Sequence, residues 1–271
     1  MFSFFRKKQQ KLLDIKNTLT PEEICTNHIE PLYSFIETKT GILLDIQKEL
    51  IRHKILTFCV QNNITSFNIL LDELKKNKPF FENFIGTVTI NETYFFREKK
   101  QIIKALLSHS QTSNEELRIL SLPSSRGDEV YTIVLLAFAI NLTNFHVVGV
   151  DIDKQVIQKA KQGVYNPRAL HKIDKETLMK YFEVEGDVYH IKNSVKKFTS
   201  FYQYNLFDDE LFQLGKFDII FSRNLFIYFN DSKKIEAYKR LEKLKKNHHS
   251  QIYLGHADIS SKLHDYIRRH K

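Results

Sequence analysis

A single glycine in a polar turn and a pair of acidic residues each follow a short apolar run in the second half of the chain. Gly127 lies in the turn after Leu117–Leu122, and Asp151 and Asp153 follow Phe145–Val150. A glycine turn that enters a helix can present backbone N–H groups to a polar ligand, and an acidic residue roughly 20 positions later can accept hydrogen bonds from a ribose. The other glycines of a dinucleotide motif are missing, so we expect a smaller nucleoside-containing cofactor. One aspartate should bind it and the other should cap the next helix, although capping and turn geometry alone would explain all three residues.

Two arginines lie next to apolar segments, where a positive charge requires a partner or contact with solvent. Arg223 follows the apolar run Phe217–Phe221, and a buried guanidinium is costly unless it is paired. It could bind a ligand, or it could form a salt bridge at the end of the strand. Arg97 follows two phenylalanines in Asn91–Glu98 (NETYFFRE), a segment that domain packing with a solvated charge would also explain.

These residues require a fold that gathers the ends of separate strands at one edge. From about residue 116, apolar runs alternate with helical patterns, and a further run follows at Ile252–Leu254. This alternation predicts an α/β domain with a parallel, doubly wound sheet, in which ligands bind beyond the carboxyl ends of the strands. Residues of about 166–204 fit less well, and their aromatic and β-branched residues around the turn-like Glu185–Asp187 predict a small β insertion.

The first third of the chain has the pattern of a small helical domain. Thr20–Glu23 is typical of a helix start, with a threonine cap, a proline and a glutamate, and Gly41 is typical of a helix end. Further helices are predicted over Asp45–Val60 and after Ser66. The predicted parts are a basic extension, a helical domain, a linker carrying NETYFFRE and an α/β domain, over residues 1–18, 19–85, 86–100 and 101–271.

The charge and composition of the chain limit which binding partners and which cellular location we expect. The formal net charge is +9, and residues 232–271 contain eleven Lys and Arg against four Asp and Glu. A positive field favours nucleic acid, anionic lipid or an acidic protein surface, although the run Lys233–Lys246 itself is interpreted as a solvated helix face. No apolar run approaches the roughly 20 residues of a membrane span, and no signal peptide is evident, so we expect a cytoplasmic protein without stable membrane insertion. The two cysteines, Cys25 and Cys59, and the scattered histidines predict neither a disulfide framework nor a metal site.

Several of these segments occur together and in order, and in this the chain resembles the chemotaxis receptor methyltransferases of the CheR type. Asn91–Glu98 is similar to the family's N-x-T-x-F-F-R-E signature, and Ser125–Thr132 (SRGDEVYT) is similar to its S-T-G-E-E-P-Y-S turn. Further matching blocks are Asp151–Asp153, Gly163–Tyr165, Phe217–Phe229 and Gly255–Asp258. The resemblance implies an all-α N-terminal domain, followed by a Rossmann-like methyltransferase domain that uses S-adenosylmethionine (SAM) and contains a small antiparallel β subdomain.

The resemblance also implies an activity and roles for single residues. Members of the family transfer a methyl group from SAM to side-chain carboxylates of glutamates on the cytoplasmic methylation helices of chemoreceptors, and S-adenosylhomocysteine (SAH) is the product. Arg97 and Tyr228 would be the catalytic residues, with Arg97 holding the carboxylate. The residues implied to bind the cofactor are Asn91, Thr93, Arg97, Gly127, Glu129, Asp151, Asn205, Leu206, Arg223 and Asn224. No metal is implied.

The chain departs from the family pattern at the cofactor turn and on its receptor-facing elements. Arg126 and Val130 replace the usual threonine and proline. The second predicted helix has fewer arginines than many relatives, so other basic residues should contribute to receptor docking. The loop Glu183–Asp187 is short and has one glycine, which implies that the protein does not depend on a tethering peptide at the receptor's C-terminus.

Two other functions stay open on the residues alone. A methyltransferase acting on nucleic acid or a small molecule would suit the basic charge, but Ser222–Leu225 stands where an Asn-Pro-Pro-Tyr-type motif would be expected, so nucleic acid is not the expected partner. A non-catalytic adaptor that senses SAM or binds receptors would suit the altered turn around Arg126. Catalysis is favoured over that reading by the presence of Asn91, Arg97, Asp151 and Tyr228.

Overall fold

The computed structural model describes residues 29–44, 48–89, 92–109 and 115–270. The chain divides into two compact units after Val88. Asn91, Cys25, the predicted helix start at Thr20–Glu23 and the predicted basic extension over 1–18 lie outside the described residues.

The N-terminal unit is helical, as the sequence predicts. Its described helices are α1 (Glu30–Thr40), α2 (Lys48–Gln61), α3 (Phe67–Lys76) and α4 (Lys78–Val88). Gly41 ends α1 in a left-handed conformation with a φ of 78°, which glycine adopts at no steric cost. The Ser66 side chain accepts a hydrogen bond from the N–H of Ile69 and so caps α3 at the predicted start.

The helix α4 extends into the segment that the sequence predicts to be a linker over 86–100. Pro79 lies in its first turn, where a missing N–H group costs nothing. Its aromatic residues pack edge to face on α2, with the ring centroids of Phe80 and Phe84 at 5.1 and 5.2 Å from that of Phe58. Burial of this face favours the helical conformation as far as Val88, and the next helix begins at Lys99, so the linker is shorter than predicted.

The C-terminal unit alternates strands and helices. Its strands are β1 (Leu117–Ser121), β2 (Phe145–Asp151), β3 (Val164–Tyr165), β4 (Phe182–Glu185), β5 (Val188–Ile191), β6 (Thr199–Gln203), β7 (Ile219–Ser222) and β8 (Gln251–Leu254). Its described helices are α5 (Lys99–His109), α6 (Asp128–Ala139), α7 (Lys154–Gln162), α8 (Lys175–Tyr181), α9 (Asn193–Lys196), α10 (Asp231–Lys243) and α11 (Ser261–Arg269). Short 3-10 helices cover Asp209–Leu214, Phe226–Tyr228 and His256–Asp258.

Five of the strands form one parallel sheet in the order β6-β2-β1-β7-β8. The chain builds from β1 through β2 to β6 and then returns to the other side of β1 for β7 and β8. This reversal leaves a crevice between β1 and β7 at the carboxyl edge, which is where doubly wound sheets bind ligands. All four residues of β7 are buried, as expected for a strand covered on both faces.

The small antiparallel sheet consists of β3, β5 and β4, in that order. The predicted β insertion of about 166–204 extends too far, because Thr199–Gln203 is β6 and pairs with β2 in the main sheet. Phe201 is the physical reason. Its ring lies against the backbone of Gly149 in β2 and 5.6 Å from the ring of Tyr131 in α6, so packing holds this strand in the main sheet.

Candidate active site

The turn between β1 and α6 is attached to the ends of the neighbouring strands by backbone hydrogen bonds. The N–H of Ser124 donates to the carbonyl of Val150 over 2.8 Å, and the N–H of Leu122 donates to the carbonyl of Phe221 over 2.9 Å. Gly127 precedes α6 with a φ of 87°, where a side chain would be strained. The turn therefore lies at the carboxyl edge, between the ends of β1, β2 and β7.

The two aspartates after β2 have separate roles. Asp153 caps α7, because its Oδ1 accepts the N–H of Gln155 over 2.8 Å. Asp151 is buried, and its two oxygens accept the N–H groups of Ser125 over 2.8 Å and of Asp153 over 3.0 Å. A carboxylate oxygen can accept more than one hydrogen bond, so Asp151 can hold the turn and still accept from ribose hydroxyls.

An ion-pair cluster of Arg223, Glu129 and Glu98 lies in the crevice between β1 and β7. Arg223 is 5% exposed; its Nε donates to Glu129 Oε2 over 2.6 Å, and its Nη1 lies 3.3 Å from Glu98 Oε2. Its Nη2 donates to the carbonyl of Arg97 over 3.1 Å, and the Ser121 hydroxyl donates to Glu129 Oε1 over 2.9 Å. The buried charge of Arg223 is thus paired, as its position requires. Two carboxylates around one guanidinium leave a net negative charge, which suits a cationic group of a ligand.

The segment Glu92–Glu98 positions Arg97, one of the two predicted catalytic residues. The guanidinium of Arg97 is partly exposed; its Nη1 donates to the carbonyl of Glu92 over 3.1 Å, and its Cζ lies 5.8 Å from the ring centroid of Tyr94. Burial raises the pKa of Tyr228, and the positive charge of Arg97 opposes that rise.

Phe95 anchors this segment in the core. Its ring packs edge to face on Tyr165 of β3 with 4.8 Å between centroids, and its N–H donates to the carbonyl of Ala169 over 3.0 Å. The hydroxyl of Tyr165 donates to the carbonyl of Arg126 over 2.7 Å. The Nη2 of Arg126 donates to the carbonyl of Thr93 over 3.4 Å. The small sheet, the cofactor turn and the NETYFFRE segment are therefore connected directly.

A buried aspartate that the sequence interpretation missed holds the loop after β7. Asn224 has a φ of 61°, and its N–H donates to Asp258 Oδ2 over 2.7 Å. The N–H groups of Gly255 and Ile227 donate to the same carboxylate. Burial raises the pKa of Asp258, and these hydrogen bonds oppose the rise. A sequence signal for it existed, because Gly255–Asp258 directly follows β8 and so lies on the same edge as the other predicted residues.

The loop after β6 contains Asn205 and Leu206, which the resemblance places beside the adenine. The N–H of Tyr204 donates to the carbonyl of Asp151 over 3.1 Å, so the loop begins beside the cofactor turn. Leu206 is buried, and its carbonyl accepts from Nε of Arg240 over 2.7 Å. No sequence signal separates Arg240 from the basic run around it, and its contacts correct the interpretation of that run as wholly solvated.

Two carboxylates beside the turn have shifted pKa values. Burial raises the pKa of Asp128 and of Asp151 from 3.8 to about 6. Asp128 is fully buried, and within the described ranges neither of its oxygens has a hydrogen-bond partner. Its Oδ1 lies 3.9 Å from Nη2 of Arg126. Asp128 is not among the predicted site residues, because nothing in its sequence context distinguishes it from an ordinary acidic residue in the first turn of a helix.

This edge of the sheet fits SAM, a nucleoside with a charged amino-acid end. The buried hydroxyls of Ser124, Ser125 and Ser222 have no hydrogen-bond partner among the residues that the structure describes. Polar groups without partners are rare in protein interiors, so these hydroxyls favour a polar ligand at this edge. Asp151 offers acceptors for the ribose, and the ion-pair cluster offers charges of both signs for the amino and carboxylate groups.

Other kinds of site are not found in the parts of the chain that the structure describes. No group of three or more His, Cys, Asp and Glu residues there is arranged to hold a metal ion. No helix among these residues combines the length and the apolar character that a membrane crossing needs. Cys59 lies in α2 and is buried in the core.

Known proteins match this chain over most of its length. The family model described as CheR methyltransferase, SAM binding domain, matches residues 91–271. A chemotaxis protein methyltransferase of Campylobacter jejuni subsp. jejuni serotype O:2 is 33% identical over 246 residues, which are 90% of this chain and 92% of that protein. One from Escherichia coli strain K12 is 28% identical over 247 residues, 87% and 85% of the two chains. A solved SAM-dependent methyltransferase from Geobacter sulfurreducens, in complex with SAH, covers 61% of this chain and 49% of its own at 13% identity, and its TM-score of 0.34 is too low to bear on fold or function.

The match to the family model includes the cofactor turn, the ion-pair cluster and the Arg97 segment. The helical N-terminal unit, the parallel sheet and the small antiparallel sheet are the architecture that the resemblance implies. Neither a non-catalytic adaptor nor a methyltransferase for an unrelated acceptor is favoured by these relatives. Because the model covers the whole site and relatives align over most of both chains, this chain belongs to the CheR methyltransferase family and is a SAM-dependent methyltransferase of chemotaxis.

Proposed function

We propose that this protein transfers the methyl group of SAM to side-chain carboxylates of glutamates on the methylation helices of chemoreceptors, forming methyl esters. The environment of Arg97 carries the proposal, because this residue is partly exposed and its own carbonyl accepts a hydrogen bond from Arg223 of the ion-pair cluster. A guanidinium in that position can hold a carboxylate through two parallel hydrogen bonds. The names of the relatives support an acceptor in chemotaxis.

The cofactor would lie along the carboxyl edge of the sheet. Its amino-acid end would meet Glu129 and Arg223, its ribose would meet Asp151, and its adenine would lie by Asn205 and Leu206. The turn at Gly127, together with Asn91, Thr93, Arg97 and Asn224, would complete the site. When bound, SAM supplies a methyl group on a positively charged sulfur, and transfer of this group to a carboxylate oxygen leaves a neutral sulfur in SAH.

The protein's own task in this reaction is alignment. A glutamate side chain has a pKa of about 4.3 and is ionised at neutral pH, so no general base is required. Arg97 would hold the carboxylate in line with the methyl group, which removes much of the entropic barrier. A tyrosine hydroxyl has an ordinary pKa of about 10 and is protonated near neutral pH, and burial raises the pKa of Tyr228 further. Tyr228 would therefore orient the acceptor as a hydrogen-bond donor.

The first experiment measures the chemical nature of the methylated product. The purified protein is incubated with methyl-labelled SAM and receptor-containing membranes, and the labelled material is then treated with mild base. Label on receptor-sized protein that is released as methanol is the expected result, because carboxyl methyl esters are labile to base. Base-stable label, or label that a nuclease removes, would contradict the proposal.

The hairpin of the small sheet supports independence from a tethering peptide. The turn between β4 and β5 consists of Gly186 and Asp187 alone, because Glu183–Glu185 belongs to β4. A turn of two residues offers little backbone on which a peptide could dock. We expect the methylation rate to stay the same when the receptor's C-terminal tail is deleted. A large decrease on deletion would contradict this expectation.

A further inference from the structure

The guanidinium of Arg240, on α10, supports the loop between β6 and the 3-10 helix Asp209–Leu214. Its Nε donates to the carbonyl of Leu206 over 2.7 Å, and its Nη2 donates to the carbonyl of Asp208 over 2.6 Å and to Oδ1 of Asp209 over 3.0 Å. The Arg240 side chain is only 14% exposed, and its Cζ lies 4.8 Å from the ring centroid of Phe212. One largely buried side chain thus contacts two residues of the loop and the first residue of the 3-10 helix that follows it.

The hydrogen bonds inside the loop shape it but do not attach it to the domain. The N–H of Asn205 donates to Asp208 Oδ2, the N–H of Phe207 donates to Asn205 Oδ1, and the N–H of Asp208 donates to the carbonyl of Asn205. Attachments to other elements among the described residues include the bond from Tyr204 to the carbonyl of Asp151 at the start, the ring of Phe207, and Arg240. Of these, Arg240 alone contacts the backbone of Leu206.

The hydrogen bond from Arg240 to Leu206 uses the carbonyl of Leu206 and not its N–H group. The guanidinium of Arg240 donates to the carbonyl of Leu206, whereas within the described residues no protein acceptor is found for the N–H of Leu206. The backbone on this side of the loop is therefore held in place while its donor stays available. Asn205 and Leu206 are the residues proposed to flank the adenine.

We propose that Arg240 is a positioning residue for the nucleoside end of SAM, acting through the loop and not by contact with the cofactor. The inference rests on the proposed position of the adenine beside Asn205 and Leu206. Arginine suits the task because its planar group presents several donors in a fixed fork, and a lysine ammonium cannot reach the same three acceptors in one geometry.

The test compares Arg240→Gln and Arg240→Lys with Lys239→Gln, which removes the same charge from the adjacent exposed position of α10. The affinity for SAH is measured by titration calorimetry. The affinity for 5′-methylthioadenosine, which retains the nucleoside but lacks the amino-acid end, is measured by competition with labelled SAH. KM for SAM and kcat are measured with receptor-containing membranes.

We expect Arg240→Gln to weaken both ligands by about tenfold, which corresponds to about 1.4 kcal/mol. KM for SAM should rise by the same factor, while kcat at saturating SAM and KM for the receptor change by less than about twofold, because the loop positions the cofactor and not the acceptor. Arg240→Lys should lie between the wild type and Arg240→Gln, and Lys239→Gln should match the wild type. If Arg240→Gln fails to fold, as thermal unfolding would reveal, Arg240→Lys carries the test.

Unchanged SAH affinity in a folded Arg240 variant would overturn the proposal, and so would weakened SAH binding with unchanged methylthioadenosine binding. Asn205→Ala separates this proposal from the proposed cofactor site. If Asn205→Ala weakens SAH binding and the Arg240 variants do not, the adenine position stands and the role of Arg240 is wrong. If none of these variants changes SAH affinity, the adenine lies elsewhere and both are wrong.

Discussion

Two arginines at the same edge of the sheet have opposite environments. Arg223 is buried and paired with Glu129 and Glu98, and such a charge serves to organise its neighbours. Arg97 is partly exposed, and its described hydrogen bond goes to one backbone carbonyl. A guanidinium with so few protein partners among the described residues has donors available for an acceptor carboxylate.

Replacement of Arg97 tests whether its guanidinium binds the acceptor carboxylate. We expect Arg97→Ala to lower kcat by about 100-fold or more, because misalignment of the reacting groups removes much of the rate enhancement. The dissociation constant of SAH should rise by less than about threefold. Lys100→Ala, at an exposed position three residues later, is the matched control and should behave as the wild type. Equal losses of turnover and of SAH affinity would assign Arg97 to the cofactor alone.

The buried carboxyl group of Asp128 makes stability depend on pH. Its pKa is about 6 in the folded protein against 3.8 ordinarily, so the folded state binds the proton more tightly than the unfolded state. Stability should therefore fall as the pH rises from about 4 to about 6 and level off above that range. At about 1.4 kcal/mol per pH unit, the contribution of this group is at most about 3 kcal/mol.

Asp128→Asn should flatten this dependence, as measured by urea unfolding at about pH 4.5 and about pH 7.5. Asp151, whose pKa is also about 6, stays in the variant, so part of the slope should remain. Asp265→Asn, at an exposed position on α11, is the control and should leave the slope unchanged. An unaltered slope in Asp128→Asn would mean that Asp128 titrates as an ordinary exposed carboxyl group.

At the scale of elements, the contact between β2 and β6 determines the shape of the cofactor edge. A Cβ on Gly149 would lie 2.6 Å from the ring of Phe201, closer than real contacts allow, and 3.0 Å from the Cβ of Ser124, which is a tight contact. We expect Gly149→Ala to destabilise the protein by about 1–3 kcal/mol in urea unfolding and to raise KM for SAM. Phe201→Leu in the same chain should restore part of the stability by making room, and a double variant no better than Gly149→Ala would contradict this explanation.

At the scale of the whole molecule, the net charge of +9 should act on the encounter with the receptor. Salt shortens the range of such forces from about 10 Å at 0.1 M to about 3 Å at 1 M. We expect kcat/KM for a receptor with an acidic surface to fall several-fold over that range. The affinity for SAH should change little, because Asp151, Arg223 and Leu206 of the proposed cofactor site are buried. A parallel fall in both quantities would instead indicate that salt acts on the cofactor site.

The sequence by itself determined the element types and the edge on which ligands bind. Apolar runs, caps such as Ser66 and Asp153, and turn residues such as Gly41 depend on neighbours a few positions away, so they can be read directly from the chain. The order of motifs was enough to indicate the family, and the structure gathers Gly127, Asp151 and Arg223 at one edge as the α/β pattern requires.

Only the tertiary structure decided which of two sheets receives Thr199–Gln203. Its β-branched and aromatic residues suit a strand of either sheet, and the contact of Phe201 with Gly149 selects one. It also decided the pairing of Arg223 with a glutamate 94 positions away and the burial of Arg240 within a basic run. These outcomes depend on contacts between residues far apart in the chain. Local sequence patterns do not reveal such contacts, because a charged side chain has the same sequence neighbours whether it is exposed to water or paired with a distant residue.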